Sequence, residues 1–95
     1  MGNMIYPESE YTLMGFELSH LQNKKYNAIL RNKITHKLTK VPFGDKRYYH
    51  YFDKIGHYSS LNHLDKNRRR LYRIRHSNNI GNKYSAGWFA NHYLW

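Results

Sequence analysis

The sequence predicts an α+β fold: a small three-stranded antiparallel sheet over about 11–43, followed by three short helices over about 45–55, 65–76 and 86–95. Two observations predict it. Apolar residues alternate with a period of two up to Phe43 and recur at three and four positions thereafter. The links between the alternating segments are short, which favours a meander of neighbouring strands. A chain of 95 residues has room for one such domain with one modest core.

Residues 1–10 read as a flexible arm, because Pro7, Glu8, Ser9 and Glu10 carry no periodicity. Residues 11–95 make the domain. In 11–18, Thr12, Met14, Phe16 and Leu18 alternate with Tyr11, Leu13 and Glu17, and Gly15 is a candidate bulge. Residues 26–30 put Tyr26, Ala28 and Leu30 on one face, and 38–43 do the same with Thr39, Val41 and Phe43. Pro42 marks that strand as an edge or an exit. Gly44 and Asp45 are expected to break the strand, Asp45 to cap a helix from Lys46 to Ile55, and Gly56 to end it. Asp65 is expected to cap the next helix and Ser85 the last. The aromatic run of that last helix, Trp88, Phe89, Tyr93 and Trp95, suits a lid on the sheet.

The helix at 65–76 carries the strongest chemical signal. Lys66, Arg68, Arg69, Arg70, Arg73 and Arg75 follow Asp65 with no second acid among them. Leu64, Leu71 and Ile74 are spaced by seven and three, which would form a narrow stripe toward a core. A helix that merely faces water usually mixes both signs of charge. This one is single-signed and rich in guanidinium, which suits bidentate contact with phosphate or carboxylate. Sixteen Lys and Arg oppose six Asp and Glu, so ten cations remain even if every acid is paired within the chain. Such an excess points to nucleic acid first, an acidic protein surface second and an anionic membrane last. Lys46 and Arg47 join the helix as candidate contacts. Lys24, Lys25, Arg31, Lys33, Lys37 and Lys40 would give a second basic edge on the hairpin.

Ten Tyr, four Phe and two Trp are the second anomaly. Tyr48, Tyr49, Tyr51 and Phe52 beside Lys46 and Arg47 have the make-up of a base-stacking platform. Aromatic residues at helical spacing more often form core, and core is the expectation here. The chain has no Cys, which excludes disulfides and thiolate metal sites. No apolar run approaches the length of a membrane span, and no signal peptide is visible.

A metal-dependent nuclease is the enzymatic alternative. His50, His57, His63 and His76, with Asp53, Asp65 and Asn62, are the residue types such a site needs. No pair of them has the i, i+4 ligand spacing of a helical metal site, and there is no Gly-rich phosphate loop or Ser nucleophile motif. The expectation is a non-enzymatic protein with no catalytic residue, no metal and no cofactor.

Five blocks then occur in order: 41–48 (VPFGDKRY), 58–65 (YSSLNHLD), 68–76 (RRRLYRIRH), 84–89 (YSAGWF) and 93–95 (YLW). Together they resemble a family of small basic proteins encoded by large DNA viruses and tailed phages. The resemblance covers nearly the whole chain except the arm. It implies a viral protein, carried in the virion and present inside the host cell during infection, and it assigns no catalytic residue. Leu64 departs from the family pattern, which often has a small polar residue there. The combined expectation is a viral, genome-associated or packaging-related protein that binds nucleic acid, DNA ahead of RNA, through backbone phosphates. The rival is a minor capsid protein whose cations meet acidic capsid surfaces.

Overall fold

The computed structural model describes residues 5–77 and 83–95. Three strands, β1 (Tyr11–Leu18), β2 (Lys24–Asn32) and β3 (Leu38–Asp45), form an antiparallel sheet in the order β1-β2-β3. A single 3-10 turn (Ser59–Leu61) precedes helix α1 (Lys66–Arg75), and α2 (Ala86–Tyr93) closes the chain. The α+β class and the three-stranded meander are therefore as predicted. The helix count is not: two α-helices are present among the described residues, not three.

The strands gather the apolar core on one face. Opposite Tyr26, Ala28 and Leu30 of β2 lie Phe43, Val41 and Thr39 of β3. On the other side lie Leu18, Phe16 and Leu13 of β1. The register slips between Leu13 and Gly15, so Leu13 and Phe16 share the inner face although they stand three positions apart. Met14, expected beside Phe16, is exposed instead. α2 lies across this face as the lid its aromatic run suggests. Phe89 packs on Phe43 with ring centroids 5.5 Å apart and edge-on to Phe16 at 6.0 Å, while Tyr93 meets Phe16 at 4.6 Å. Ser85 caps α2 by accepting from the Trp88 N–H at 3.2 Å. Part of the expected arm is tied down: Tyr6 and Tyr84 exchange backbone hydrogen bonds of 3.2 and 2.7 Å.

β3 runs through Gly44 to Asp45 instead of stopping at Phe43. Gly44 takes φ +77, and a Cβ there would stand 2.9 Å from the Leu94 side chain and 3.1 Å from that of Lys25. Only glycine fits that closeness together with that backbone angle.

The expected helix at 46–55 is replaced by irregular chain, and the cause is competition for its N–H groups. Asp45 does act as a cap, but of a turn: its carboxylate accepts from the Arg47 N–H at 2.9 Å, and its carbonyl from the Tyr48 N–H at 3.2 Å. Beyond it, the N–H groups of His50, Phe52 and Lys54 reach the carbonyls of Leu61, Leu94 and Tyr93 at 3.0–3.1 Å. Asp53 then captures the N–H groups of Ile55 and Tyr58, both at 2.8 Å. Each donor finds a partner far along the chain or in a side chain, so no helical ladder forms. The aromatic residues here also have modest helix propensity.

Asp53 is the anchor of this segment. It is buried, and it accepts from the Tyr26 hydroxyl as well as from the two N–H groups. Burial alone pushes its carboxyl up; the Tyr26 hydroxyl and the backbone N–H groups of Gly56, Tyr58 and Ile55 more than offset this and hold it below the usual value. Among the described residues no helix is long and apolar enough to cross a membrane.

Two substitutions test these local assignments. Tyr26→Phe leaves a buried carboxylate without its hydroxyl donor and should destabilise the fold by about 1–3 kcal/mol in urea denaturation; an unchanged midpoint would remove Asp53 from its anchoring role. Leu64 sits at φ 57, a left-handed conformation that Asn tolerates far better than Leu. Leu64→Asn should therefore raise stability, by about 1 kcal/mol in the same assay.

Candidate nucleic-acid interface

α1 begins where Asp65 accepts from the Asn67 and Arg68 N–H groups at 2.9 and 3.1 Å. Its last turn holds Arg73 and Arg75, cations at the negative end of the helix dipole. The side that faces the protein is not the Leu64–Leu71–Ile74 stripe. Those three residues are 60, 40 and 59% exposed, and no residue of α1 is fully buried. The partners waiting for α1 explain the difference. The Trp95 indole stacks on Tyr72 with centroids 4.2 Å apart and planes 3° from parallel. Arg73 donates from Nε to Asn91 Oδ1 and from Nη2 to the Trp95 carbonyl, both at 3.1 Å. The Arg69 guanidinium lies 4.6 Å above the Tyr51 ring. An aromatic and polar seam selects Tyr72, Arg69 and Arg73, which lie on one side of the helix, and turns Leu71 and Ile74 outward.

The six cations of α1 thus divide. Arg69 and Arg73 hold the helix to the domain, while Lys66, Arg68, Arg70 and Arg75 are exposed. Among the described residues none of the six pairs with an Asp or Glu side chain. The ion pairs there are Lys40–Glu17, Arg47–Asp45 and Lys83–Glu8. Asp53 is committed to Tyr26, and Asp65 to its cap. Arg47, a sequence candidate, is engaged with Asp45 through Nε at 3.0 Å and Nη2 at 2.8 Å. Lys46 is exposed beside it.

α1 separates two depressions. One, of about 400 Å³, is lined by Lys66, Arg69, Arg70, Arg73, Ile74 and Ser77. The other, of about 630 Å³, lies on the opposite flank between α1, α2 and the end of the β2–β3 ladder. Arg68, Tyr72 and Arg75 face it from α1, Lys24 and Lys25 from β2, and Tyr48 and Tyr49 from the turn after β3. Tyr48 and Tyr49 are 62 and 55% exposed, so the aromatic residues expected in a core are in part at the surface.

The second basic edge does not form as one surface. Lys25 is 2% exposed. Its Nζ donates to the Tyr48 carbonyl at 3.0 Å and to His50 Nδ1 at 2.7 Å. Asn62 Oδ1 accepts from His50 Nε2 at 2.7 Å and from the Asp53 N–H at 2.8 Å. These partners make His50 the neutral tautomer with its proton on Nε2. Burial, and then the neighbouring Lys25 charge, push its pKa down in agreement. Lys24 borders the aromatic cleft, Lys40 is paired with Glu17, and Arg31, Lys33 and Lys37 are exposed at the far hairpin. Lys25 is expected on a basic edge of the hairpin; nothing in the sequence shows that residues 48–50 fold back over it.

Of the residues weighed for a nuclease, His50, Asn62 and Asp53 come together, but inside the protein and bonded to one another or to Lys25 and Tyr26. His63 Nδ1 accepts from the Asp65 N–H at 2.9 Å and shapes the entry to α1. Among the described residues no three His, Asp or Glu side chains are grouped as a metal site.

Burial lowers the Lys25 pKa to about 8 from 10.5, with Asp53 and Asp45 resisting a further fall. Between those values the unfolded chain binds more protons than the folded one, so stability rises with pH across that window. Urea denaturation from about pH 8 upward should show the rise, and Lys25→Met should flatten it; an identical slope in the variant would contradict the burial of a charged Lys25. The chain matches no protein-family model, no curated protein and no solved structure.

Proposed function

We propose that this is a small, non-enzymatic viral protein that binds nucleic acid through backbone phosphates, with α1 as the main contact, in a genome-associated or packaging role. The observation that carries the proposal is that, among the described residues, no Asp or Glu pairs with the cations of α1, four of which stand exposed on a capped and anchored helix. Phosphate contacts need cations along a surface and little other geometry, and they neutralise backbone charge without reading sequence. The viral setting rests on the resemblance of the five sequence blocks.

The test uses the exposed cations. Reversal at Arg69 or Arg73 would strike the packing on Tyr51, Asn91 and Trp95 first. Arg68→Glu, Arg70→Glu and Arg75→Glu together should weaken DNA binding by a similar factor on unrelated sequences. The slope of log affinity against log salt should fall by about 0.9 for each phosphate that the variant no longer neutralises. Unchanged affinity and slope would refute the proposal.

One observation favours the capsid reading as an alternative. Leu64, Leu71 and Ile74 present apolar surface beside the arginines, which phosphate does not reward and a protein interface does. Stoichiometric presence in shells that lack nucleic acid would decide for that alternative; its absence from them would decide against it.

A further inference from the structure

The larger depression has a composition that backbone phosphate alone does not require. Its rim carries the cations Lys24, Arg68 and Arg75. The exposed residues Tyr48 and Tyr49, and Tyr72 stacked on Trp95, line the same depression. The one acid along it, Asp45, is already engaged by Arg47. At about 630 Å³ it falls inside the ~300–1,000 Å³ range of small-molecule sites. An apolar ligand would not call for three cations, and an inorganic anion would not call for the rings. A nucleotide carries both a flat π-face and a phosphate. In a duplex the base faces are hidden in the stack, so only an unpaired base could use Tyr48 and Tyr49.

The backbone that carries the tyrosines is also held before any ligand arrives. The Tyr48 N–H donates to the Asp45 carbonyl at 3.2 Å, and its own carbonyl accepts from buried Lys25 Nζ at 3.0 Å. The Arg47 guanidinium lies 5.5 Å from the Tyr48 ring centroid. His50 is fixed on both ring nitrogens and by its own N–H, which donates to the Leu61 carbonyl. A buried lysine and histidine thus pin the backbone of a turn whose two side chains face outward. Pinning the backbone lowers the ordering cost of binding, and stacking on an aromatic ring tolerates every base.

We propose that this cleft accepts an unpaired nucleobase on Tyr48 and Tyr49 with the adjoining phosphate on Arg68, Arg75 or Lys24, so that the preferred ligand is single-stranded nucleic acid. The proposal rests on the phosphate-binding reading above and adds to it the kind of strand and the site of the base.

The probes are a labelled oligothymidylate, an abasic strand of equal length and charge, and a duplex, each titrated by fluorescence anisotropy. The wild-type protein should bind oligothymidylate about tenfold or more tighter than the abasic strand. Tyr48→Leu/Tyr49→Leu should remove that difference and leave duplex affinity unchanged. Equal affinity of the wild-type protein for the oligothymidylate and the abasic strand overturns the cleft proposal, whatever the variant does. If the triple Glu variant then still loses binding to both, phosphate binding survives and only the base site fails. If the wild-type protein binds none of the three probes, both readings fail together.

Discussion

The buried Asp53 carboxylate is the constraint on which the arrangement depends. It ties the Tyr26 hydroxyl of β2 to the N–H groups of Ile55 and Tyr58, while its own N–H reaches Asn62. Asn62 in turn receives His50, and His50 receives Lys25. A chain of polar contacts thus runs from the middle strand through the irregular segment to the residues just before α1. Burying a carboxylate and an ammonium is unfavourable in itself and gains little unless nearly every hydrogen-bonding position is filled. Here the filled positions fix a path for residues 46–64 that local propensity would not select. Both sides of the candidate interface, the tyrosine turn and the start of α1, hang from that path.

The same path decides what the cations can do. α1 meets the domain through stacked rings and guanidinium groups, not through an aliphatic stripe, because Trp95, Asn91 and Tyr51 are what the C-terminal turn and residue 51 present. Arginine serves there as a long, flat packing residue as much as a charge. What remains outside is a helix with four exposed cations that pair with no Asp or Glu side chain among the described residues, two apolar side chains, and a cleft of mixed aromatic and basic character on one flank. The electrostatic surplus and the structural anchor occupy different sides of one short helix.

Much of the fold is legible in the residues. Alternation around Tyr26, Ala28 and Leu30 marks the central strand, Gly15 the register slip, and Asp65 and Ser85 the two helix starts. Each of these is a local signal, resolved within a few residues. What is not legible is set by contacts across the chain. Tyr48, Phe52 and Ile55 have helical spacing, yet the N–H groups of His50, Phe52 and Lys54 bond to Leu61, Leu94 and Tyr93. Lys25 reads as part of a basic edge of the hairpin, yet Tyr48 and His50 cover it. The candidate site follows the same division. The basic run of α1 is obvious in sequence, whereas which arginines anchor and which stand exposed depends on where Trp95 comes to lie. The cleft is legible in neither half alone, since Tyr48 and Arg75 are far apart in the chain.

The most direct measurement of phosphate binding by α1 is an NMR titration of the labelled protein with a short oligonucleotide, following backbone amides and arginine Nε–Hε groups. The predicted result is perturbation at Arg68, Arg70 and Arg75 and along the 46–49 turn, with the far hairpin at Arg31, Lys33 and Lys37 unmoved. Perturbations centred on that hairpin, or none at saturating oligonucleotide, would contradict it.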